Sequence, residues 1–288
     1  MKELALAHLT YPEVAARLGG GGRKVAVIPV GSTEAHGPHL PLCTDSLIGA
    51  AVACSFAAER LLPYRREWNT PLGDAGRDTI HAVVNETFVL ASVAVIPALA
   101  ALNPLPGWWP ASAPFGVQVL LAVVIADFGI TTVHLASHKI GWMWRLHAVH
   151  HSAKHMDWMA GSRQHILELL ITRTLVLAPI YVLGFSKEVI DAYIVIVGFQ
   201  AVFNHANVSV RLGPLRYLIV TPNFHHWHHS QDDEAIDRNY AAHFAFLDHL
   251  FGTAVQSDRD WPARYGVQGD YVPDGFLKQL KFPFVWKG

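Results

Sequence analysis

GWWPASAPFGVQVLLAVVIADFGITTVHLASHKIGWMWRLHAVHH, Gly107–His151, decides how the chain is read. Gly107–Ala126 carries no charge over twenty residues and opens on Trp108 and Trp109. That pattern predicts a membrane-crossing helix with aromatic residues at the interface. The helix runs directly into histidines. His134 and His138 are four apart and share a helical face. His147, His150 and His151 follow one loop later. Neutral imidazole is the commonest side-chain metal ligand, so the stretch predicts a metal site at the end of a membrane span.

The rest of the chain extends this site. Twelve of the eighteen histidines fall between His134 and His229, a density that ordinary packing does not produce. A lone His205 stands in FNHAN, and His225, His228 and His229 repeat the HxxHH spacing of His147, His150 and His151. Nine candidate ligands result: His134, His138, His147, His150, His151, His205, His225, His228 and His229. Two octahedral ions can use nine and keep positions open, whereas one zinc needs three or four. Imidazole suits Fe, Zn, Cu and Ni alike, so spacing does not name the metal. His226 falls outside the spacing. His8, His39, His81, His155, His165, His243 and His249 read as ordinary surface or core residues. No catalytic group is predicted beyond the metal ligands. Asp127, seven residues before His134, is expected to accept from His134 and fix its tautomer.

Composition supports a membrane setting. Of 288 residues, 51% are hydrophobic and only 16% charged, with a mean hydropathy of +0.24. A net charge of −1 leaves no basic surface for nucleic acid. Cys43 and Cys54 form neither a CxxC pair nor a disulfide framework. The opening MKELALAHLTYPEV lacks the basic start and apolar run of a signal peptide. Thr87–Leu105 is a second uncharged run, with Pro97 tolerable as a kink. Thr174–Ser186 and Ala192–Asn204 have thirteen uncharged residues each, fewer than the roughly 17 that cross alone. They are expected to lengthen by bringing Glu168, Arg173 or Asp191 to the interface; buried core helices or a re-entrant hairpin are the alternative.

The predicted architecture is therefore mainly α: about four membrane helices and a cytosolic histidine-rich cap, after a short α/β fragment. Arg60, Arg65 and Arg66 precede the first span, Lys139, Arg145, Lys154 and Arg163 follow the second, and Arg211, Arg216 and Arg238 follow the last. The link around Asn103–Pro114 has no lysine or arginine. The positive-inside rule places the N-terminus, central loop, C-terminus and every histidine group on the cytoplasmic side.

At these residues the chain resembles the fatty acid hydroxylase/sterol desaturase superfamily, from about Glu59 to Thr253. Its motifs are Asp127 before HLASH, HAVHHS, RQH (Arg163–His165), FNHAN, TPNFHHWHHS, and NY followed by LDHLFGT. Lys139 stands where arginine is usual and Leu247 where tryptophan is common. The resemblance implies an integral membrane enzyme with two histidine-bound, non-haem irons on the cytosolic face. It would hydroxylate or desaturate a lipid using O2 and two electrons. No GxGxxG or haem-attachment motif is present, so a separate electron-donor protein is expected.

VIPVGSTEAHGPHLPLCTDSL, Val27–Leu47, follows a buried-strand pattern at Lys24–Ser32 and resembles creatininase-type amidohydrolases. Their metal-binding strand-loop carries Glu-x-His and a later Asp, matched by Glu34, His36 and Asp45; Cys43 replaces a usual glycine. Such a set could hold Zn or Mn if the fragment functions. The resemblance covers only about 50 residues, too few to bury a proper core. Residues 1–57 are expected to be a remnant without hydrolase activity, and residues 58–288 the di-iron domain. The alternatives are a metal-dependent amidohydrolase working through the N-terminal set and a non-catalytic membrane metal-binding protein.

Overall fold

A computed structural model describes residues 44–70, 73–100, 112–256 and 261–287. The predicted strand and the residues Glu34 and His36 lie outside them. Asp45 falls in the first turn of a helix, and its side chain is not described. Nine α-helices are described: α1 (Thr44–Leu61), α2 (Ala75–Ala100), α3 (Phe115–Lys139), α4 (Gly141–His151), α5 (Ile166–Leu183), α6 (Lys187–His205), α7 (Pro222–His228), α8 (Phe246–Phe251) and α9 (Phe276–Val285). Among the described residues β pairing is limited to isolated bridges, Pro63 with Val208 and Ser230 with Tyr265.

Among the described residues, each predicted apolar run has a helix over most of its length, with shifted boundaries. The second starts at Phe115, after Pro114, and continues past Asp127 to Lys139. The third spans Ile166–Leu183 and so takes in Glu168 and Arg173; Gly184, with φ of 80°, ends it in a left-handed turn. The fourth begins at Lys187, where the Ser186 hydroxyl accepts from the Val189 N–H. Two of these helices, α3 and α5, are long and apolar enough to cross a membrane. Only 33% and 17% of their apolar windows are buried within the protein. Most of their apolar surface is thus left uncovered by the rest of the protein.

The described helices pack through α3, α5 and α6, where Ala122, Val123 and Ala126 meet Val176, Ile180, Val189, Ile190 and Tyr193. Gly129 of α3 faces Val176 of α5, where a Cβ would lie 3.8 Å from the Val176 backbone, in ordinary contact. The histidine-bearing end of α3, the start of α5 and the end of α6 gather at one end of this bundle, beneath α4 and α7. α1 runs unbroken through the expected domain junction at 57–58 and packs on α6.

Candidate metal centre

The nine predicted histidines come together in two groups. His134, His138, His147, His151 and His228 form one, and His150, His205, His225 and His229 the other; ring nitrogens within each group lie within 4.8 Å of one another. Each HxxHH motif is divided between them. On α4, His147 and His151 are one turn apart and face the first group, while His150 faces the second. At α7 the assignment reverses: His225 and His229 join the second group, and His228 the first. The groups adjoin, with the rings of His151 and His229 stacked 4.4 Å apart.

Hydrogen bonds at the far side of the rings fix the tautomers. His134 Nδ1 donates to the Tyr240 carbonyl at 2.7 Å, and His228 Nδ1 to that of Arg238 at 2.6 Å. His150 Nδ1 donates to the Arg163 carbonyl at 3.2 Å, and His205 Nδ1 to that of Ala201 at 2.8 Å. His147 Nδ1 donates to Glu168, and His138 Nδ1 to Asp237 at 3.1 Å. A carbonyl can only accept, so the proton sits on Nδ1 and Nε2 presents a bare lone pair.

These lone pairs face one another. His134 and His147 have Nε2 atoms 3.0 Å apart, and His150 and His205 have theirs 3.2 Å apart. With both protons on Nδ1 neither contact is a hydrogen bond, and each pair of lone pairs could hold a shared cation. The Nε2 atoms of His138 and His228 are likewise buried without a partner. An octahedral ion with metal–nitrogen bonds of about 2.1 Å sets adjacent nitrogens about 3.0 Å apart, a tetrahedral one about 3.4 Å. The observed spacings run from 3.0 Å, the octahedral edge, to 3.2 Å, midway between the two. Burial pushes His150, His151, His225 and His229 well below the ordinary 6.5, with neighbouring imidazoles adding to the effect. Burial takes His228 down to about 3. All five are neutral at pH 7, the form a metal binds.

Asp127 does not touch His134, a correction to the expected role. Its carboxylate accepts the backbone N–H groups of Ala242, His243 and Phe244 at 3.0, 3.0 and 2.7 Å. Asp248 accepts from the N–H groups of Tyr240 and Ala241 at 2.9 and 2.7 Å. Two buried carboxylates thus pin the loop whose Tyr240 carbonyl holds His134. Glu168, Asp237 and the carbonyl acceptors escaped the sequence reading because they meet their histidines only through the tertiary fold. His226 stays outside both groups, its Nε2 3.2 Å from the His205 carbonyl. Arg163, whose carbonyl holds His150, is itself fixed by a buried two-pronged pair with Asp78 at 2.6 and 2.7 Å.

The fatty acid hydroxylase family matches residues 119–253, the stretch containing all nine histidines. Ornithine lipid hydroxylase OlsE of Rhizobium tropici is 32% identical over 250 residues, covering 83% of this chain and 75% of that protein. The chain belongs to the fatty acid hydroxylase family. It is thus an oxidoreductase, like the other members it matches. Alkylglycerol monooxygenase of Homo sapiens is 32% identical over 130 residues, 44% of this chain and 28% of that protein. Its Danio rerio counterpart is 29% identical over 173 residues, 58% of this chain and 37% of that protein. A separate match, to the creatinine amidohydrolase family, covers residues 7–88. No solved structure matches the chain.

Proposed function

We propose that this hydroxylase-family chain is an integral membrane, non-haem di-iron oxygenase that hydroxylates a carbon of a membrane lipid. The observation that carries the reading is the facing of bare Nε2 lone pairs within each histidine group, 3.0 Å in one and 3.2 Å in the other. His134, His138, His147, His151 and His228 would hold one iron and His150, His205, His225 and His229 the other. Five and four ligands leave open positions on two six-coordinate ions, more on the second. Iron, when bound, supplies the oxidising power that an unactivated C–H bond demands and no side chain has. The protein's residues orient the rings, keep them neutral and bury the site. The ornithine lipid and alkylglycerol relatives are named a hydroxylase and monooxygenases, which favours hydroxylation over desaturation.

The four helices α2, α3, α5 and α6 would cross the membrane in alternating directions. Asp78 at the start of α2, His138 at the end of α3, Glu168 at the start of α5 and His205 at the end of α6 then share one side. The lysine and arginine distribution makes that side cytoplasmic. A lipid chain would enter laterally between the helices while electrons arrive from a separate donor protein in the aqueous phase.

Metal analysis of the purified protein and lipid mass spectrometry of cells with and without it test the proposal. About two irons per chain and a lipid carrying one added oxygen atom are expected. His150→Ala should lower the iron to about one per chain and abolish the lipid product. Zinc alone, at about one per chain, would falsify the reading.

The creatinine amidohydrolase match favours examining a second activity through Glu34, His36 and Asp45. We read that segment as lacking hydrolase activity, because the part of it seen as α1 and early α2 is packed into the histidine domain. Loss of an amidohydrolase activity in Glu34→Gln, with iron content unchanged, would restore the alternative.

A further inference from the structure

The helix α9 plays no part in the histidine centre, yet its outward face is strongly apolar. Leu277 and Phe284 are 66% and 69% exposed, and the adjoining Val285 is 67% exposed. Leu277 and Phe284 lie two turns apart on one outward face, with Leu280, half-buried, at its edge. Lys278 and Lys281, both exposed, form the neighbouring row, and exposed Lys287 follows the helix. The third face is buried: Phe282 packs on Ala148 and Val149 of α4. Gln279 meets His81 of α2 at 2.9 Å and Ser152 at 3.3 Å.

The placement of α9 identifies what covers this face. His81 also touches the Phe276 ring, centroids 4.8 Å apart. His165, immediately before α5, donates from Nε2 to the Leu280 carbonyl at 3.0 Å and lies against the Phe284 ring. The helix thus bridges the entry ends of α2 and α5. Beside these contacts, Ile80 and Val83 on α2 and Leu167 on α5 are also exposed. The stripe on α9 continues this apolar belt where the two helices leave the histidine cap. Aliphatic and aromatic groups flanked by lysines, parallel to that boundary, suit the plane between headgroups and acyl chains.

We infer that α9 lies in the plane of an anionic bilayer, with Leu277, Leu280 and Phe284 in the acyl boundary and Lys278, Lys281 and Lys287 on lipid phosphates. It would thereby tie α4, which carries His147, His150 and His151, to the membrane surface. The inference rests on the membrane reading of α2, α3 and α5, and the test separates the two.

Full-length protein with both cysteines replaced by serine carries a bimane probe at Leu277→Cys, Phe284→Cys, Leu120→Cys on α3, or Asp233→Cys in an exposed polar turn. Each is reconstituted in phosphatidylcholine vesicles with or without phosphatidylglycerol. At 277 and 284, quenching by shallow nitroxide lipid should exceed that at 233 by about twofold or more, and iodide quenching should be correspondingly weaker. Phosphatidylglycerol should strengthen the lipid quenching, and Lys278→Gln/Lys281→Gln/Lys287→Gln should remove that dependence. Iodide access at 277 equal to that at 233, with 120 quenched by lipid, overturns the inference and leaves the membrane reading standing. Iodide access at 120 as well overturns both. Protection of 277 from both quenchers marks a protein partner or second copy on this face and also overturns it.

Discussion

Gly161 shows how little room the centre leaves at the scale of one residue. A Cβ there would lie 2.9 Å from His205 Nδ1 and 3.3 Å from the Ala201 carbonyl, the pair whose hydrogen bond sets the His205 tautomer. Gly161→Ala is therefore expected to turn His205 away and lower iron in the four-histidine group about 10-fold or more in affinity, though it changes no ligand. Iron titration of the purified variant checks this; wild-type affinity would show that the ring yields without consequence. Eight of the nine grouped histidines could be read together, because HxxxH and HxxHH spacing on a helix places rings one turn apart; the lone His205 has no such spacing. Glycine's role was not legible, because it depends on a ring 44 positions away in the chain. The role expected of Asp127 failed for a related reason. Two turns put it on the face of His134 but about 10 Å along the helix axis, beyond an aspartate's reach.

At the scale of elements, helices extended past the points where hydropathy placed their ends. Charge ended the predicted spans, whereas the backbone stops at capping residues and left-handed turns. Asp127 and Glu168 thus lie inside α3 and α5, where each has a structural use. The loop after Asn239 illustrates it. With Asp127→Ala, three backbone N–H groups at 242–244 lose their acceptor. Each buried unsatisfied group costs about 1–3 kcal/mol, so a loss on the order of 3 kcal/mol or more is expected, with a drop in melting temperature of several degrees. Because the same loop presents the Tyr240 carbonyl to His134, iron should also be released more readily. An unchanged melting temperature in detergent would show that the loop is held by Asp248 alone. Asp127→Asn, which keeps one carboxamide oxygen, should fall between the two.

For the whole molecule, two separate family matches, at 7–88 and 119–253, set the problem. Motif reading separated an N-terminal fragment at 57, since the composition changes there, but composition does not register that α1 continues into the cap. Glu59 makes the join: its carboxylate accepts the N–H groups of Trp158 and Asn207, both at 2.8 Å. Burial, reinforced by Asp157, outweighs those donors and raises Glu59 from the ordinary 4.5 to about 7. A raised carboxyl pKa means the folded state holds the proton more tightly, so its stability is full below 4.5 and declines as pH rises through 7. Glu59→Gln, which keeps the acceptor oxygen without the charge, should therefore raise the melting temperature at pH 8 and change it little at pH 4. Trp68 joins the same region to Ala153, Met156, Ala160 and Tyr265. Truncation should follow these contacts rather than the family boundary. A chain starting at Thr44 keeps Glu59 and Trp68 with their cap partners and is expected to keep its iron and its lipid product. A chain lacking residues 1–70 forfeits Glu59, Arg65 and Trp68 together, and should emerge from the membrane extract aggregated and iron-free. If the shorter deletion abolishes activity, residues 1–43 have a role in the oxygenase; if the longer one retains it, α1 is not the anchor that its buried glutamate indicates.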